Sequence, residues 1–589
     1  MRIPVAFDGC FGWLHTPPDG LARDTAVLLC PGILKDAMLA HCSWRLLADR
    51  LAEAGYTTLR FDYPGTGDSC DEQVASAGGH WPAWRASIER AADWLKSVSG
   101  ARRLVLGGLR LGASLATLTA AQRRDVEGLL LFEPVTNGRT YLRQLVLEAE
   151  LVNGAPAQRG QGIELRELSL SPSTLDDLQK IDLRVAALPA RLQVAVFART
   201  KGRALDECAE AWRQRGVAVA LPGWQGLEPL VHHIIQEDDR LADFATALAW
   251  LKSTVPSQIS EEALATPLPA QLNPPGCREE ALCFGENGRL FGVLCRPAEG
   301  SAPKVVIMGN AGRDPHYGAA RQNVVLARRL ARLGIASLRM DFGGLGDSIG
   351  PAGEEDVLSN VLRVERTPDL RAAIDALQRV GFETFILQGL CSGGYHAFHA
   401  ALGDARVEGL ILVNLPIFEL PRGDVLSYIQ HRDNSPIYYL RRLVRPQGWT
   451  TLLEGRLDLR GALRGQWGRL SLAVSRRLRR LLERIGLADT VSFAHRSMAD
   501  LSARGVRTLF LLSPGAGDVD AFAREFGPAG EGLAGFRGAA MRIIDVMDHD
   551  LVRSAGREIA VKAMVDFAAG RAYLTSCSQL AELAARFAP

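Results

Sequence analysis

The chain carries one sequence pattern twice, and this repeat limits its fold more than any other feature. Segment 60–69 (RFDYPGTGDS) recurs as segment 339–348 (RMDFGGLGDS). Segment 108–112 (GLRLG) recurs as segment 389–393 (GLCSG). The two separate motifs keep nearly the same offset in numbering, and a chain of 589 residues exceeds what one hydrophobic core holds. The sequence therefore predicts a duplicated domain.

Each copy alternates apolar, strand-like runs with helix-like segments. This alternation is typical of a mostly parallel sheet with helices on both faces. The predicted fold class is α/β, with two tandem domains that each carry such a sheet and a cap insertion. A Pro-rich stretch marks the linker, so the predicted boundaries are 1–255, 256–277 and 278–589.

The insertions of the two copies differ in charge. The insertion at about 417–500, the predicted cap of the second copy, is rich in arginine, whereas that at about 136–190 is more acidic. An arginine-rich cap indicates an anionic partner, such as coenzyme A, a carrier-protein phosphopantetheine or an anionic glycolipid. The alternative is a solvated helix face. Peripheral membrane contact through segment 475–482 (SRRLRRLL) is a further possibility.

Composition excludes several classes of function. A net charge of +2 gives no reason to expect nucleic-acid binding, and the N-terminus has no secretory signal pattern. No apolar run approaches the ~20 residues of a membrane span. The ten cysteines are scattered without C-x-x-C pairs, which argues against a zinc site and a disulfide framework. We predict a cytoplasmic protein with no metal and no cofactor.

The segment GLCSG has the form of a nucleophile elbow, G-x-Nu-x-G, in which a strand turns sharply into a helix. Cys391 is the predicted nucleophile, and the N–H of Ser392 is the first oxyanion donor. The second donor is expected from the loop after an earlier strand, with the N–H of Asn310 preferred. The alternative is a small buried cysteine at an ordinary turn.

A thiol nucleophile needs a base, and in this motif order the acid and the histidine follow the last two strands. His549 is the predicted general base, with Asp518 narrowly preferred to Asp520 as the acid that orients it. His316 lies in the same loop as Asn310 and is a candidate substrate contact. The GDS loop from Gly344 to Ser348 is predicted to be a structural turn whose aspartate caps the next helix.

The first copy lacks this machinery. Arg110 stands at the nucleophile position, where a guanidinium stays protonated and cannot attack. No acid follows the strand at 192–197, and no histidine directly follows the strand at 217–221. We therefore predict that the first copy is catalytically inactive. Arg110 could still bind an anion or pair with the acidic insertion.

Both halves resemble α/β-hydrolases of the serine-aminopeptidase-like superfamily. The motifs around Arg110 and Cys391, with segments 132–143 and 438–443, are similar to hydrolases associated with exosortase and exopolysaccharide gene systems. One branch of that group carries Arg at the elbow and a sister branch carries Cys. The resemblance implies the fold and leaves the substrate open.

The leading interpretation is acyl transfer through a Cys391 thioester, in a biosynthetic pathway. The expected substrate is an acyl thioester or ester, carried on coenzyme A or a carrier protein, with water or another acceptor completing the reaction. The alternative is a non-catalytic scaffold or binding protein made of two hydrolase folds.

Overall fold

The computed structural model has two large sheets, one in each half of the chain. It describes residues 1–154, 162–198, 202–224, 226, 237–260, 262, 264–300, 303–350, 366–420, 491–514 and 517–571, with the backbone alone at 237–243, 518 and 520. We call residues up to 255 the first half and residues from 278 the second half.

The first sheet has eight strands in the spatial order β1-β2-β4-β3-β5-β6-β9-β10. Strands β1 and β2 form an antiparallel hairpin, β2 pairs antiparallel with β4, and the remaining pairs are parallel. A separate hairpin joins β7 and β8. The strands are β1 Arg2–Phe7, β2 Cys10–His15, β3 Thr25–Cys30, β4 Thr58–Phe61, β5 Arg103–Leu109, β6 Val126–Phe132, β7 Ile163–Leu165, β8 Leu168–Leu170, β9 Gln193–Phe197 and β10 Ala218–Ala220.

The second sheet repeats this order and adds one edge strand, giving β11-β12-β13-β15-β14-β16-β17-β18-β19. Its β12–β13 and β13–β15 pairs are antiparallel, like their counterparts, and the strands from β14 onward pair in parallel. The strands are β11 Gln271–Leu272, β12 Cys277–Phe284, β13 Leu290–Pro297, β14 Lys304–Met308, β15 Ala336–Asp341, β16 Thr384–Leu390, β17 Val407–Val413, β18 Arg507–Leu512 and β19 Ala539–Ile543.

Helices cover both faces of each sheet. In β3, Leu28 packs in one hydrophobic cluster while its neighbours Val27 and Leu29 pack in another, on the opposite face. The α-helices are Lys35–Glu53, Glu72–Ser76, His80–Ser99, Leu111–Ala120, Gly138–Asn153, Pro172–Gln179, Arg203–Arg213, Glu237–Thr254, Gln322–Ala331, Thr367–Arg379, Ser392–Gly403, Phe493–Ala503, Gly517–Phe526 and Ser554–Ala568. The predicted fold class is confirmed, since two mostly parallel mixed sheets are consistent with two α/β-hydrolase-like domains.

The stretch predicted as a linker contacts both halves. The backbone N–H of Asp24 donates to the carbonyl of Gln258 at 2.9 Å, and the strand Gln271–Leu272 pairs with β12 at the edge of the second sheet. An apolar cluster also joins the halves, in which the rings of Trp13 and Phe291 lie 4.6 Å apart. Among the described residues, no helix is both long enough and apolar enough to span a bilayer.

Candidate functional site

The turn at Cys391 has the strained backbone that an elbow requires. Strand β16 ends at Leu390 and a helix begins at Ser392, while Cys391 between them has φ 53° and ψ −118°. A positive φ costs free energy for a residue with a side chain, so it persists only where the surrounding structure imposes it. The N–H of Cys391 donates to the carbonyl of Val413 at 2.9 Å, which ties the turn to the neighbouring strand.

Two glycines allow the strand and the helix to approach closely at this turn. A Cβ added to Gly389 would lie 2.1 Å from the carbonyl carbon of Gly393, and one added to Gly393 would lie 2.5 Å from the carbonyl oxygen of Asn310. Both distances are far inside van der Waals contact, so only glycine fits. The second glycine therefore brings the loop that contains Asn310 against the start of the elbow helix.

That loop is also hydrogen-bonded to the elbow. The N–H of Gly312 donates to the Oγ of Ser392 at 2.8 Å. Ser392 is the first residue of its helix, where backbone N–H groups have no acceptor within the helix. Asn310 is buried, its Oδ1 accepts from the N–H of Phe342 at 2.6 Å, and its Nδ2 donates to the carbonyl of Asp314 at 2.8 Å.

His549 lies in the loop between β19 and the helix Ser554–Ala568, at the edge of the sheet where the elbow also lies. Its side chain is 34% exposed, and its Nε2 is 3.9 Å from Oδ1 of Asp550. Cys391 and Met547, two residues before His549, both contact one hydrophobic cluster. The elbow and the loop that carries His549 therefore lie at the same edge of the second sheet.

Asn414 fixes the position of the histidine loop, a role that the sequence did not suggest. It directly follows β17, has φ 47°, and is fully buried. Its Nδ2 donates to the carbonyl of His549 at 2.8 Å, and its Oδ1 accepts from the N–H of Ser513 at 2.7 Å. One side chain thus ties together the ends of β17 and β18 and the loop that carries His549.

The two candidate acids lie where an acid is expected in the chain order. Asp518 and Asp520 belong to the first turn of the helix Gly517–Phe526, which follows β18. Their side chains lie outside the described residues, so the choice between them stays open. The arginine-rich segment of the predicted cap, 421–490, and segment 475–482 also lie outside the described residues.

His316 lies between two carboxylates in the contact between the halves. Its Nδ1 is 2.8 Å from Oδ2 of Asp341, and its Nε2 is 2.6 Å from Oδ2 of Asp68 in the first half. Its side chain is only 1% exposed. Both ring nitrogens are engaged, which leaves neither of them for the substrate contact expected from the sequence.

The GDS aspartates bond across the contact between the halves. Oδ1 of Asp68 accepts from Nε of Arg339 at 2.8 Å, and Asp347 forms the matching ion pair with Arg60. His41 approaches Asp347 at 3.2 Å. The segment 351–365 lies outside the described residues, so the helix cap expected from Asp347 stays a prediction.

These contacts shift the pKa values of His316 and Asp68, which form a buried ion pair. Burial disfavours the charged form of His316, but the charges of Asp68 and Asp341 outweigh it and hold the pKa well above its usual value. Burial also opposes ionisation of Asp68, yet His316 and Arg339 hold the pKa of that carboxyl well below its usual range. The pair is therefore ionised at neutral pH.

The raised pKa of His316 makes part of the stability depend on pH. A group whose pKa is higher in the folded state contributes fully below its unfolded pKa, about 6.5, and loses that contribution as the pH rises through the folded pKa. We expect His316→Gln to lower the thermal midpoint most between pH 5 and 6.5. The difference in midpoint between the variant and the wild type, called the gap here, should become smaller toward pH 10. Thermal melts of both proteins across this range measure the gap. A gap that widens with pH would contradict this assignment.

Within the described residues, His316, Asp341 and Asp347 offer ligand atoms within 4.8 Å of one another, as a metal site would. Their contacts argue for an ion-pair network instead. Both ring nitrogens of the histidine are bonded to carboxylates, and Asp347 pairs with Arg60. A cation here would have to displace charges that already neutralise these groups.

The corresponding turn of the first half has the same backbone and different chemistry. Arg110 has φ 54° and ψ −118°, which matches Cys391 closely. Its Nε donates to Oδ2 of Asp36 at 3.3 Å, and its guanidinium lies 6.0 Å from the ring centroid of Tyr141. The ion-pair partner is thus in the helix Lys35–Glu53, not among the acidic residues of the insertion.

The residues around the Arg110 turn also differ from those of a hydrolase site. Pro31 takes the place of Asn310, since a Cβ on Gly112 would meet the Pro31 carbonyl oxygen at 2.1 Å. Proline has no N–H and cannot serve as an oxyanion donor. After β10 comes Trp224, whose ring packs against Phe132 at 5.3 Å and Phe197 at 6.0 Å. Aromatic side chains therefore pack beside the position where the histidine would be expected.

Residues 27–267 match the model of the alpha/beta hydrolase family. The α/β-hydrolase fold of this range, which covers most of the first half, is thus supported independently of the motifs. No curated protein matches the chain.

Several solved structures of esterases and hydrolases resemble parts of the chain. Est1E from Butyrivibrio proteoclasticus with bound ferulic acid is 14% identical, covers 42% of this chain and 99% of its own, and has a TM-score of 0.33. A thermostable carboxyl esterase from Bacillus coagulans is 12% identical over 44% of this chain and 99% of its own, with a TM-score of 0.33. An a/b serine hydrolase without lid from Xanthomonas campestris is 15% identical over 42% and 94%, with a TM-score of 0.28. At such scores, these likenesses say nothing about activity.

Proposed function

We propose that the second half is an α/β-hydrolase-fold enzyme that transfers acyl groups through a thioester on Cys391. The observation that carries this proposal is the backbone of Cys391, with φ 53° between β16 and a helix start, on glycines that tolerate no Cβ. A strained position with a thiol is the arrangement in which a nucleophile is presented. The same proposal includes two tandem domains joined by a linker at 256–277, of which the first is catalytically inactive.

In the proposed reaction, His549 takes the proton of the Cys391 thiol, and the thiolate attacks the carbonyl carbon of an acyl thioester or ester. The carbonyl oxygen becomes an oxyanion, which the N–H groups of Ser392 and Asn310 stabilise. When the tetrahedral intermediate collapses, the bond to the leaving thiol or alcohol breaks and His549 returns the proton to it. Water or another acceptor then attacks the acyl-enzyme with the same histidine as base.

Asp518 or Asp520 is proposed to hold the imidazole of His549 in the tautomer that this proton transfer needs. Coenzyme A or a carrier protein as the acyl donor, and a place in a biosynthetic pathway, follow from the arginine-rich cap and from the family resemblance. The alternative proposal, a non-catalytic scaffold in a biosynthetic complex, rests on the changed elbow residue Arg110 in the first half.

Intact-protein mass spectrometry tests the proposal. Brief incubation with a panel of acyl thioesters is expected to add one acyl mass to the wild type, because the acyl-enzyme forms on a single thiol. Cys391→Ala should show no addition. Cys283→Ala removes an exposed thiol of the same half and should still be acylated. An adduct that persists in Cys391→Ala, or no adduct with any donor, would favour the scaffold.

A further inference from the structure

The contact between the halves is built from a reciprocal pair of aspartates. Asp68 and Asp347 hold the same place in the repeated segment, as do Arg60 and Arg339. Each aspartate crosses to the arginine of the other copy, and all four side chains are at least nine-tenths buried. These two reciprocal ion pairs have approximate two-fold symmetry. On their own they would account only for holding the halves together.

The two sides of this contact differ in what the aspartate reaches next. Beyond Arg339, Asp68 contacts Nε2 of His316 at 2.6 Å, and the opposite ring nitrogen contacts Asp341 at 2.8 Å. With the offset that relates Asp68 to Asp347, the position of His316 corresponds to Ala37 in the first half, which has no side chain that could form such a link. His41 of the first half also contacts Asp347, at 3.2 Å, but it lies on the helix Lys35–Glu53 and not in the loop that follows the strand Thr25–Cys30.

The connection continues to Asn310. We call the loop after β14 that contains Asn310 the oxyanion loop, because the backbone N–H of Asn310 is the proposed second oxyanion donor. Oδ1 of Asp341 accepts from Nδ2 of Asn310 at 2.6 Å and from the N–H of His316 at 2.8 Å. Asn323 donates from its Nδ2 to the carbonyl of His316 at 2.9 Å. Every member of this chain of contacts is buried, so each side chain has one arrangement that satisfies its polar atoms. Its last member is the residue whose backbone N–H is the proposed second oxyanion donor.

We infer that Asp68 of the first half is a positioning residue for the oxyanion loop of the second half. It acts through His316, Asp341 and Asn310, and the inference rests on the proposed acyl transfer. The carboxylate holds the imidazolium of His316 in place, and the imidazolium in turn fixes Asp341. The first half therefore supports the reaction rate of Cys391 although its own elbow carries no nucleophile.

Replacing Asp68 with asparagine leaves the imidazolium with one carboxylate in hydrogen-bond contact, that of Asp341. Asp341 must then adjust toward His316, and its bond to Asn310 weakens. Loss of a complete oxyanion donor slows acyl transfer about 10²- to 10³-fold, and we expect partial misplacement to cost about 10- to 100-fold. The loss should fall on the acylation rate constant at saturation, with substrate affinity nearly unchanged, because Asp68 contacts no substrate.

Two reagents that react with the same thiol separate this role from general damage. Acetylation by p-nitrophenyl acetate passes through an oxyanion, with an S–C bond formed and p-nitrophenolate released. Alkylation by iodoacetamide displaces iodide directly and forms no oxyanion. Both rates are followed on the Cys391 peptide by mass mapping in the full chain, for wild type, Asp68→Asn and Asp347→Asn. Asp347→Asn is the matched control, since it weakens the symmetric ion pair with Arg60 but keeps the contact of Asp68 with His316 and the backbone N–H that donates to Asp341.

The expected result is that Asp68→Asn slows acetylation about 10- to 100-fold and alkylation less than about 2-fold. Asp347→Asn should lose similar thermal stability and keep the wild-type ratio of the two rates. Equal slowing of both reagents, or equal slowing of acetylation in both variants, would overturn the inference. If Asp68→Asn does not fold, His316→Gln breaks the next link and carries the same expectation.

The design also separates the two proposals. A wild type that is acetylated while Asp68→Asn matches it overturns only the positioning role of Asp68. A wild type that is alkylated at Cys391 but never acetylated overturns the acyl-transfer proposal, and the positioning role falls with it.

Discussion

Arg339→Met is expected to destabilise the folded protein by about 3–5 kcal/mol, because it removes the buried cation that pairs with both Asp68 and Glu279. The guanidinium of Arg339 is fully buried, with Nε 2.8 Å from Asp68 and Nη1 2.9 Å from Glu279. Methionine fills similar space but offers no donor. Arg328 still contacts Glu279 at 2.9 Å, so the loss falls mainly on Asp68.

Denaturant unfolding of Arg339→Met and wild type measures this loss of free energy. The control is Arg50→Met, which removes an exposed ion pair with Glu53 at a similar distance, 2.9 Å. An exposed pair contributes at most about 1 kcal/mol, so the control should unfold almost as the wild type does. Equal and small effects of both substitutions would show that the buried network contributes little to stability.

The second large effect is expected from the proposed general base. His549→Ala should slow acylation of Cys391 about 10²- to 10⁴-fold, the range that a positioned base contributes. Without the imidazole, the thiol must ionise unaided and the leaving group receives no proton from the protein. Added imidazole should restore part of the rate, because a free imidazole can enter the space that the substitution leaves.

His495→Ala is the matched control for this prediction. Its side chain is 36% exposed, close to the 34% of His549, and it lies in the same half on the helix Phe493–Ala503. Its substitution should leave the acylation rate within about 2-fold of wild type. If His549→Ala acylates as fast as His495→Ala, the role of His549 as base is wrong.

The fold and the elbow were predictable because local chemistry dictates them. Apolar runs such as segment 407–413 form strands buried on both faces, and their alternation with helix patterns sets the parallel sheet. The turn at Cys391 needs glycine on both sides, since a Cβ at Gly389 or Gly393 would overlap backbone atoms. Both glycines lie in one short, continuous segment of the chain, so the sequence alone reveals this requirement.

The contact between the halves was not predictable in the same way. Asp68 and Arg339 are far apart in the chain, and an aspartate in a glycine-rich loop usually bonds to its own backbone. The sequence suggests a substrate contact for His316, because the aspartate that engages its Nε2 comes from a distant segment of the chain. Asn414 gave no signal either, because its counterpart in the first half is Glu133 and the repeat does not preserve it.

The most direct test is the burst of p-nitrophenolate released when Cys283→Ala protein is mixed with excess p-nitrophenyl acetate. Among the cysteines that the structure describes, Cys283 is the one classed as exposed, so this background removes the thiol most open to a side reaction. We expect one equivalent of p-nitrophenolate per chain, with the acetyl group on the Cys391 peptide. No burst from protein whose Cys391 reacts with iodoacetamide, or an acetyl group on any other residue, would contradict acyl transfer through Cys391.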